Sequence, residues 1–166
     1  MTLTVTVGGA SSDSYITLAE WETYATNAGW TTAGTDVVKE VYLRDAAKYI
    51  DRHYKWTGTS QYQTQARAWP RLTSIYVDGW SVDADTIPQD IKDAQAEIAW
   101  LVHEGLNPTA TVTSGAVKSK SVAAGPVSST TEYVGGGRET PRIVAVEGLL
   151  APYISVGGSQ VRMQRA

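Results

Sequence analysis

Residues 53–71 read HYKWTGTSQYQTQARAWPR, and this segment decides how the chain is built. A helical pattern runs into it and stops before Gly58, and the segment closes on Trp69 and Pro70. One interpretation is a packed corner, in which Gly58 ends a helix and Trp56 and Trp69 cover one end of a core. The other is a nucleic-acid platform, because aromatic faces and basic side chains serve base stacking and phosphate contact. The corner is favoured, because core packing is the commoner use of tryptophan and Pro70 disfavours helix at the preceding residue.

Composition and charge limit the class of protein. A chain of 166 residues is the size of one domain and is long enough to bury a core. Cysteine is absent, which excludes disulfides, thiolate zinc sites and cysteine nucleophiles. The net charge is −3, whereas a dedicated duplex-DNA binder usually has a basic domain. The charge is uneven, because residues 39–71 are rich in Lys and Arg and residues 72–104 are acidic. No apolar run approaches the length of a membrane span.

Start signals predict four helices. Thr17 with Glu20 forms a capping box, Thr35 is a second cap, and Pro88 and Pro141 suit the first turns of the third and fourth helices. The second helix is expected to bury an apolar stripe and to carry its charges on the opposite, solvated face. That stripe comprises Val37, Val38, Val41, Tyr42, Ala46, Tyr49, Ile50, His53 and Tyr54.

The rest of the chain is predicted to be extended or irregular. Alternation over residues 2–7 predicts a short N-terminal strand, and Asp78-Gly79 predicts a turn or short hairpin. Two polar runs predict a protruding β-hairpin arm over residues 112–135, and residues 155–166 are predicted to be a flexible tail. The predicted fold class is therefore mainly α: a small bundle of about four helices with a β arm, forming one domain over residues 1–154.

No catalytic constellation is evident. The chain contains no G-x-x-x-x-G-K-[ST], G-x-G-x-x-G or G-x-S-x-G motif, and His53 and His103 belong to no metal-binding pattern. Asp78, Asp83 and Asp85 share a loop but lack the spacing of a Ca²⁺ site. The expectation is a protein without enzymatic activity, metal or cofactor.

Six short blocks occur in one order and together resemble a known family. They are SYITLAE (14–20), DRHYKWTG (51–58), QARAWPR (65–71), IPQDIKDAQAEIA (87–99), AVKSKSVAAGPV (116–127) and VEGLLAPY (146–153). Over roughly residues 14–154 the chain resembles the tailed-phage family of DnaT-like single-stranded-DNA-binding proteins. That family overlaps the head–tail connector, or head-completion, adaptors of long-tailed phages and prophages.

The resemblance implies a structural role. The leading prediction is a head–tail connector, a ring of about a dozen copies beneath the portal, located in the virion neck after assembly in the host cytoplasm. The implied partners are further copies of the chain, the portal protein, a tail-completion, stopper or tail-terminator protein, and duplex DNA that passes through the lumen without specific binding. No membrane partner is expected. The alternative prediction is a single-stranded-DNA-binding protein that uses Trp56, Trp69, Arg67 and Arg71.

The predicted contact residues are basic. Charge complementarity between the 39–71 and 72–104 regions suggests contacts between subunits. The candidate subunit or portal contacts are Arg44, Lys48, Arg52, Arg67, Arg71, Lys118, Lys120, Arg162 and Arg165. The predicted structural corner is formed by Trp56, Gly58, Trp69 and Pro70.

Overall fold

The computed structural model describes residues 2–73, 75–108, 117–123, 128–133 and 143–155. The described helices are α1 (Leu18–Asn27), α2 (Asp36–His53), α3 (Gln89–His103) and α4 (Val144–Leu150), the last followed by a 3-10 turn over Ala151–Tyr153. The described strands are β1 (Thr59–Ser60) with β2 (Arg71–Leu72), β3 (Tyr76–Val77) with β4 (Trp80–Ser81), and β5 (Val117–Ala123) with β6 (Ser128–Tyr133), each pair antiparallel. The prediction of a mainly helical fold with a β-hairpin is confirmed. No helix in these ranges is long and apolar enough to cross a membrane.

The chain divides into two compact units. One comprises residues 1–108 and 144–166 and contains the four helices, and the other comprises residues 109–143 and contains β5 and β6. The ladder of the second unit pairs Lys120 with Thr131 and has an irregularity between Val117 and Ser119. Both of its strands fall within the predicted arm.

Local signals set the ends of α1. The Thr17 hydroxyl accepts a hydrogen bond from the Glu20 N–H at 3.2 Å, and the Glu20 carboxylate accepts one from the Thr17 N–H at 2.7 Å. At the other end Gly29 has φ +75°, and the Trp30 N–H donates to the Ala25 carbonyl at 2.8 Å. The capping box and the left-handed glycine therefore satisfy backbone groups that a helix end leaves open.

The core of the first unit lies between α2 and α3 and is completed by α1 and α4. Its fully buried side chains include Trp21, Leu43, Ala46, Ile50, Ile91, Ile98, Val146 and Leu150. The indole N–H of Trp21 donates to the Ala96 carbonyl at 3.0 Å, so the largest side chain of α1 is fixed in direction as well as buried. Burial of these side chains is the main stabilising contribution, at roughly 1.5–3 kcal/mol for each large aliphatic group.

A buried amide joins three segments of this core. Gln95 of α3 is fully buried; its oxygen accepts a hydrogen bond from the Tyr15 N–H at 2.9 Å. Its nitrogen donates to the Leu43 carbonyl at 2.8 Å and to the Ser14 hydroxyl at 2.6 Å. Because an unpaired buried polar group is costly, these bonds tie α3 to α2 and to the segment that precedes α1.

Residues 2–7 are assigned no strand, in contrast to the predicted N-terminal strand. The segment folds back on residues 12–13 instead: the Asp13 N–H donates to the Thr4 carbonyl at 2.8 Å, and the Thr6 N–H donates to the buried Ser12 hydroxyl at 3.2 Å. The alternation of apolar residues predicted one buried face but could not identify a neighbouring strand. In the structure the backbone groups of Thr4 and Thr6 form hydrogen bonds with residues 12–13 instead.

The predicted buried stripe of α2 is correct in its second half and wrong in its first. Val37, Val38 and Val41 are exposed. Lys39 and Glu40 are buried instead, because Lys39 pairs with Glu22 of α1 at 2.6 Å and Glu40 pairs with Arg44 at 3.2 Å. The helix therefore turns Leu43, Ala46, Ala47 and Ile50 to the core.

The corner after α2 is held by backbone contacts. Gly58 has φ +77°, and a Cβ at this position would lie 2.1 Å from the Leu72 carbonyl oxygen. Trp56 forms an antiparallel bridge with Ile154, and the Trp69-Pro70 peptide bond is cis. The corner thus brings β1, β2 and the end of the described C-terminal segment together, and only glycine fits at position 58 without a shift of the backbone.

Candidate nucleic-acid interface

Trp56 and Trp69 form part of the interior of the corner. Trp69 is only 1% exposed, and its ring packs edge-to-face with Trp56 (centroids 5.8 Å apart) and with Tyr153 (5.6 Å). Pro70 beside it is also buried, and Trp56 is half-buried. A base cannot stack on a ring whose faces are covered, so Trp69 is unavailable as a stacking surface.

Arg67 and Arg71 direct their guanidinium groups at the protein itself. Arg67 donates to the Ser12 carbonyl at 3.1 Å and pairs with Asp51 at 3.2 Å. Arg71 donates to the carbonyls of Thr57 (3.0 Å), Ala68 (3.1 Å) and Gly58 (2.5 Å). These bonds hold both sides of the corner, and they occupy donors that phosphate contact would require.

Asp51 is the acidic partner in this network. Its carboxylate accepts hydrogen bonds from the Tyr15 hydroxyl and from the Ala68 N–H, the latter at 3.2 Å. Burial raises the pKa of Asp51, although the Tyr15 hydrogen bond and the Arg67 charge act in the opposite direction. Burial also raises the pKa of Tyr15, and the charge of Asp51 adds to that effect. Tyr15 is therefore a neutral donor here, and the network is a structural one.

Three of the other basic residues predicted as contacts lie on α2. Arg44 pairs with Asp13 at 3.3 Å and with Glu40, and Lys48 pairs with Asp45 of its own helix at 3.1 Å, whereas Arg52 is exposed. Lys118 and Lys120 lie in the sequence of β5. Arg162 and Arg165 lie outside the described residues.

The two most exposed aromatic side chains among the described residues of the first unit lie on the β3–β4 hairpin. Trp80 is 80% exposed and Tyr76 is 69% exposed. Asp78 (φ +51°) and Gly79 (φ +85°) form the turn between them, a left-handed pair that suits a two-residue hairpin and confirms the predicted turn. Tyr76 pairs across the ladder with Ser81, and Trp80 pairs with Val77, so the two rings stand on opposite faces of the hairpin.

A second group of aromatic rings in this unit is packed together, unlike the rings of the hairpin. The rings of Trp30, Trp100 and His103 are stacked in order, with centroids 4.9 Å and 5.0 Å apart, and Tyr24 leans on Trp30 at 5.8 Å. Those rings cover one another and are half-buried, which is the arrangement of a packed cluster. Among the described residues, the rings of Tyr76 and Trp80 make no such contact with another ring.

The surroundings of the hairpin are acidic. Asp78 forms its turn, and Asp83 and Asp85 follow β4. Asp85 accepts hydrogen bonds from the Tyr62 hydroxyl at 3.0 Å and from the Gln61 side chain at 2.9 Å, and its hydrogen bond and charge raise the pKa of Tyr62. The aromatic surface therefore lies beside fixed negative charge, so its affinity for DNA must come mainly from the rings.

Sequence reasoning identified the turn at Asp78-Gly79 but did not propose its aromatic flanks as a site. The signal available in the sequence was a tyrosine and a tryptophan on either side of this turn. In the structure Tyr76 and Trp80 lie in strands of two residues each. A hairpin with two-residue strands offers little surface of its own on which either ring could be buried.

A family model described as "Putative DnaT-like ssDNA binding protein" matches residues 1–166. The chain belongs to this family. No curated protein and no solved structure matches it.

Membership of the DnaT-like family overturns the predicted head–tail connector. The family's description names single-stranded DNA, which agrees with the alternative function and not with the leading one. The predicted ring, the portal and tail partners, and the duplex DNA that passes unbound through a lumen are corrected with it. Absent catalytic motifs and a mildly acidic charge are compatible with both functions and do not distinguish them.

Proposed function

We propose that this protein binds single-stranded DNA by stacking unpaired bases on Tyr76 and Trp80. The observation that carries the proposal is the exposure of both rings, 69% and 80%, on one hairpin of a chain that belongs to the DnaT-like family. Aromatic stacking is the sequence-tolerant part of single-strand recognition, because every base has a π-face. In this proposal Tyr76 and Trp80 form the stacking site in place of Trp56, Trp69, Arg67 and Arg71.

The hairpin suits single strands better than duplexes. The faces of paired bases are covered by their neighbours, whereas those of an unpaired strand are free to stack on a protruding ring. Asp78, Asp83 and Asp85 repel phosphates nearby, which disfavours binding that depends on backbone charge alone. We therefore expect a preference for single strands and a salt dependence corresponding to few phosphate contacts, at a slope of about −0.7 for each contact.

The test is a titration of the protein with a labelled oligothymidine of about 16 nucleotides at low salt, followed by fluorescence anisotropy. Trp80→Ala should weaken binding by roughly 5- to 150-fold, which corresponds to a loss of about 1–3 kcal/mol of stacking free energy. Tyr76→Ala should act in the same direction. Because both side chains are largely exposed, neither change should alter the unfolding midpoint appreciably.

Two controls make the experiment specific. Trp80→Phe keeps an aromatic face and should retain most of the affinity, and Val37→Ala removes an exposed apolar side chain from α2 and should change nothing. Equal affinity of the wild type and of Trp80→Ala would refute the assignment of the site. Absence of binding by the wild type at low salt would refute the proposed function itself.

A further inference from the structure

A groove of about 470 Å³ runs between α1 and the first half of α3. Its apolar lining comes from Ile16, Ala19 and Ala96, of which Ile16 and Ala96 are almost fully buried. The Tyr24 side chain lines one wall, and Asp93 lines another. The groove thus combines an apolar floor, an aromatic ring and a carboxylate.

Two carboxylates on this side of α3 form no ion pair with a cation of the described residues. Asp93 accepts a hydrogen bond from the Gln89 amide at 2.8 Å, and Glu97 accepts one from the Tyr24 hydroxyl at 3.2 Å. Among the ion pairs of the described residues, none includes Asp93 or Glu97. Like charges one helical turn apart repel each other, and a bound cation would relieve that repulsion.

The negative field of these carboxylates reaches the aromatic ring. The pKa of Tyr24 is raised to about 12, first by burial, then by the charge and hydrogen bond of Glu97, and further by the charge of Asp93. Lys92, the cation in the groove lining, is directed to Glu20 at 3.9 Å instead. A half-exposed ring beside two carboxylates is a favourable environment for a guanidinium group, which can stack on the ring and donate to the carboxylates at once.

We propose that this groove binds the chain's own residues 161–166, VRMQRA, with an arginine placed between Tyr24 and the carboxylates of Asp93 and Glu97. The segment carries Arg162 and Arg165 and no acidic residue, and its Val161 and Met163 match the apolar floor. The binding site is distinct from the β3–β4 hairpin and does not rest on the proposed DNA binding.

The end of the described chain lies close enough for this contact. The Tyr153 hydroxyl donates to the Asp90 carboxylate at 2.7 Å, and Asp90 directly follows Gln89, which lines the groove. Residue 155 is the last one described, and seven further residues lead to Arg162. Seven residues span up to about 23 Å when extended. Asp93 is only three positions from Asp90, about 4.5 Å along the helix axis.

The absence of cysteine from the chain allows a direct test. Asn27 is exposed and lines the groove, so the full chain with Asn27→Cys and Met163→Cys should form a disulfide within one molecule under mild oxidation. The matched control carries Val37→Cys, exposed on α2 outside the groove lining, with the same Met163→Cys. Non-reducing electrophoresis with mass analysis separates intramolecular from intermolecular products.

The expected result is faster intramolecular disulfide formation in the groove pair than in the control pair. Adding Arg162→Gln and Arg165→Gln to the groove pair should slow it by about fivefold or more, and so should Asp93→Asn with Glu97→Gln. Equal rates in the groove and control pairs would overturn the proposal, as would disulfides found only between molecules. If neither the arginine substitutions nor the carboxylate substitutions change the rate of disulfide formation, the role assigned to the arginines is overturned.

Discussion

Replacing Arg71 with glutamine separates the structural role of this side chain from a role in DNA binding. The guanidinium group donates to three backbone carbonyls, of which those of Thr57 and Ala68 are in partly buried bonds and that of Gly58 is in an exposed one. A hydrogen bond from a charged donor contributes at least about 1.5 kcal/mol when partly buried, so the two inner bonds together correspond to roughly 3 kcal/mol. The exposed bond adds little.

The size of this effect keeps the experiment interpretable. Domains are stable by about 5–15 kcal/mol, so a loss of roughly 3 kcal/mol leaves most molecules folded at 25 °C. Urea unfolding followed by circular dichroism should show a lower midpoint with an unchanged slope. Binding to the labelled oligothymidine, measured on the same folded protein, should stay within about twofold of the wild type, a difference of less than 0.5 kcal/mol.

Arg52→Gln is the matched control, because Arg52 is an exposed arginine on α2. Its unfolding free energy should change by no more than about 0.5 kcal/mol. The reasoning is refuted if Arg71→Gln leaves stability unchanged and weakens DNA binding more than about tenfold, which corresponds to 1.4 kcal/mol. That outcome would restore Arg71 to the nucleic-acid interface.

Three further predictions concern the fold. Gln95→Leu should cost about 1.5–4.5 kcal/mol in urea unfolding, because three buried hydrogen bonds of about 0.5–1.5 kcal/mol each are lost; a cost below 1 kcal/mol would contradict this account. Gly58→Ala should lower the melting temperature far more than Gly29→Ala. Both glycines have positive φ, but only a Cβ at position 58 would meet a carbonyl oxygen, at 2.1 Å. Similar decreases in the two variants would show that the backbone of the corner shifts to accept the methyl group. Burial by itself would raise the pKa of Glu20, but hydrogen bonds from Thr17 and the nearby Lys92 charge together lower it. Its stabilising contribution is therefore present above the unfolded pKa and lost as pH falls through the lower folded pKa, so the stability difference between wild type and Glu20→Gln should shrink between neutral pH and about pH 3.

The boundaries of α1 could be predicted because their causes are local. Thr17 with Glu20 at its start and Gly29 at its end act on backbone groups within a few residues, so the sequence alone contains the information. The predicted start of the fourth helix at Pro141 lies outside the described residues, and α4 begins at Val144. The orientation of a helix is different. Val37, Val38 and Val41 looked like a core stripe, yet the core face was decided by where α1 and α3 pack on α2.

The candidate site was less predictable than the fold. Trp69 and Trp80 are the same residue type, and one is 1% and the other 80% exposed. The difference arises from long-range packing: Trp69 meets Trp56 and Tyr153 across the corner, whereas Trp80 lies in a two-residue strand and stays exposed. No local pattern separates these two tryptophans, although Pro70 and the apolar stripe before Trp56 favoured a packed corner over a stacking platform in residues 53–71.

The buried amide of Gln95 also sets the alignment of α3. A slide of α3 along α2 by one turn would move that amide about 5.4 Å and break its hydrogen bonds with the Tyr15 N–H, the Ser14 hydroxyl and the Leu43 carbonyl together. An apolar helix interface built from alanine, leucine and isoleucine alone would tolerate such a slide far better. Gln95 therefore aligns α3 along its axis: a packing with α3 one turn out of place would keep apolar contacts but would lack these three hydrogen bonds.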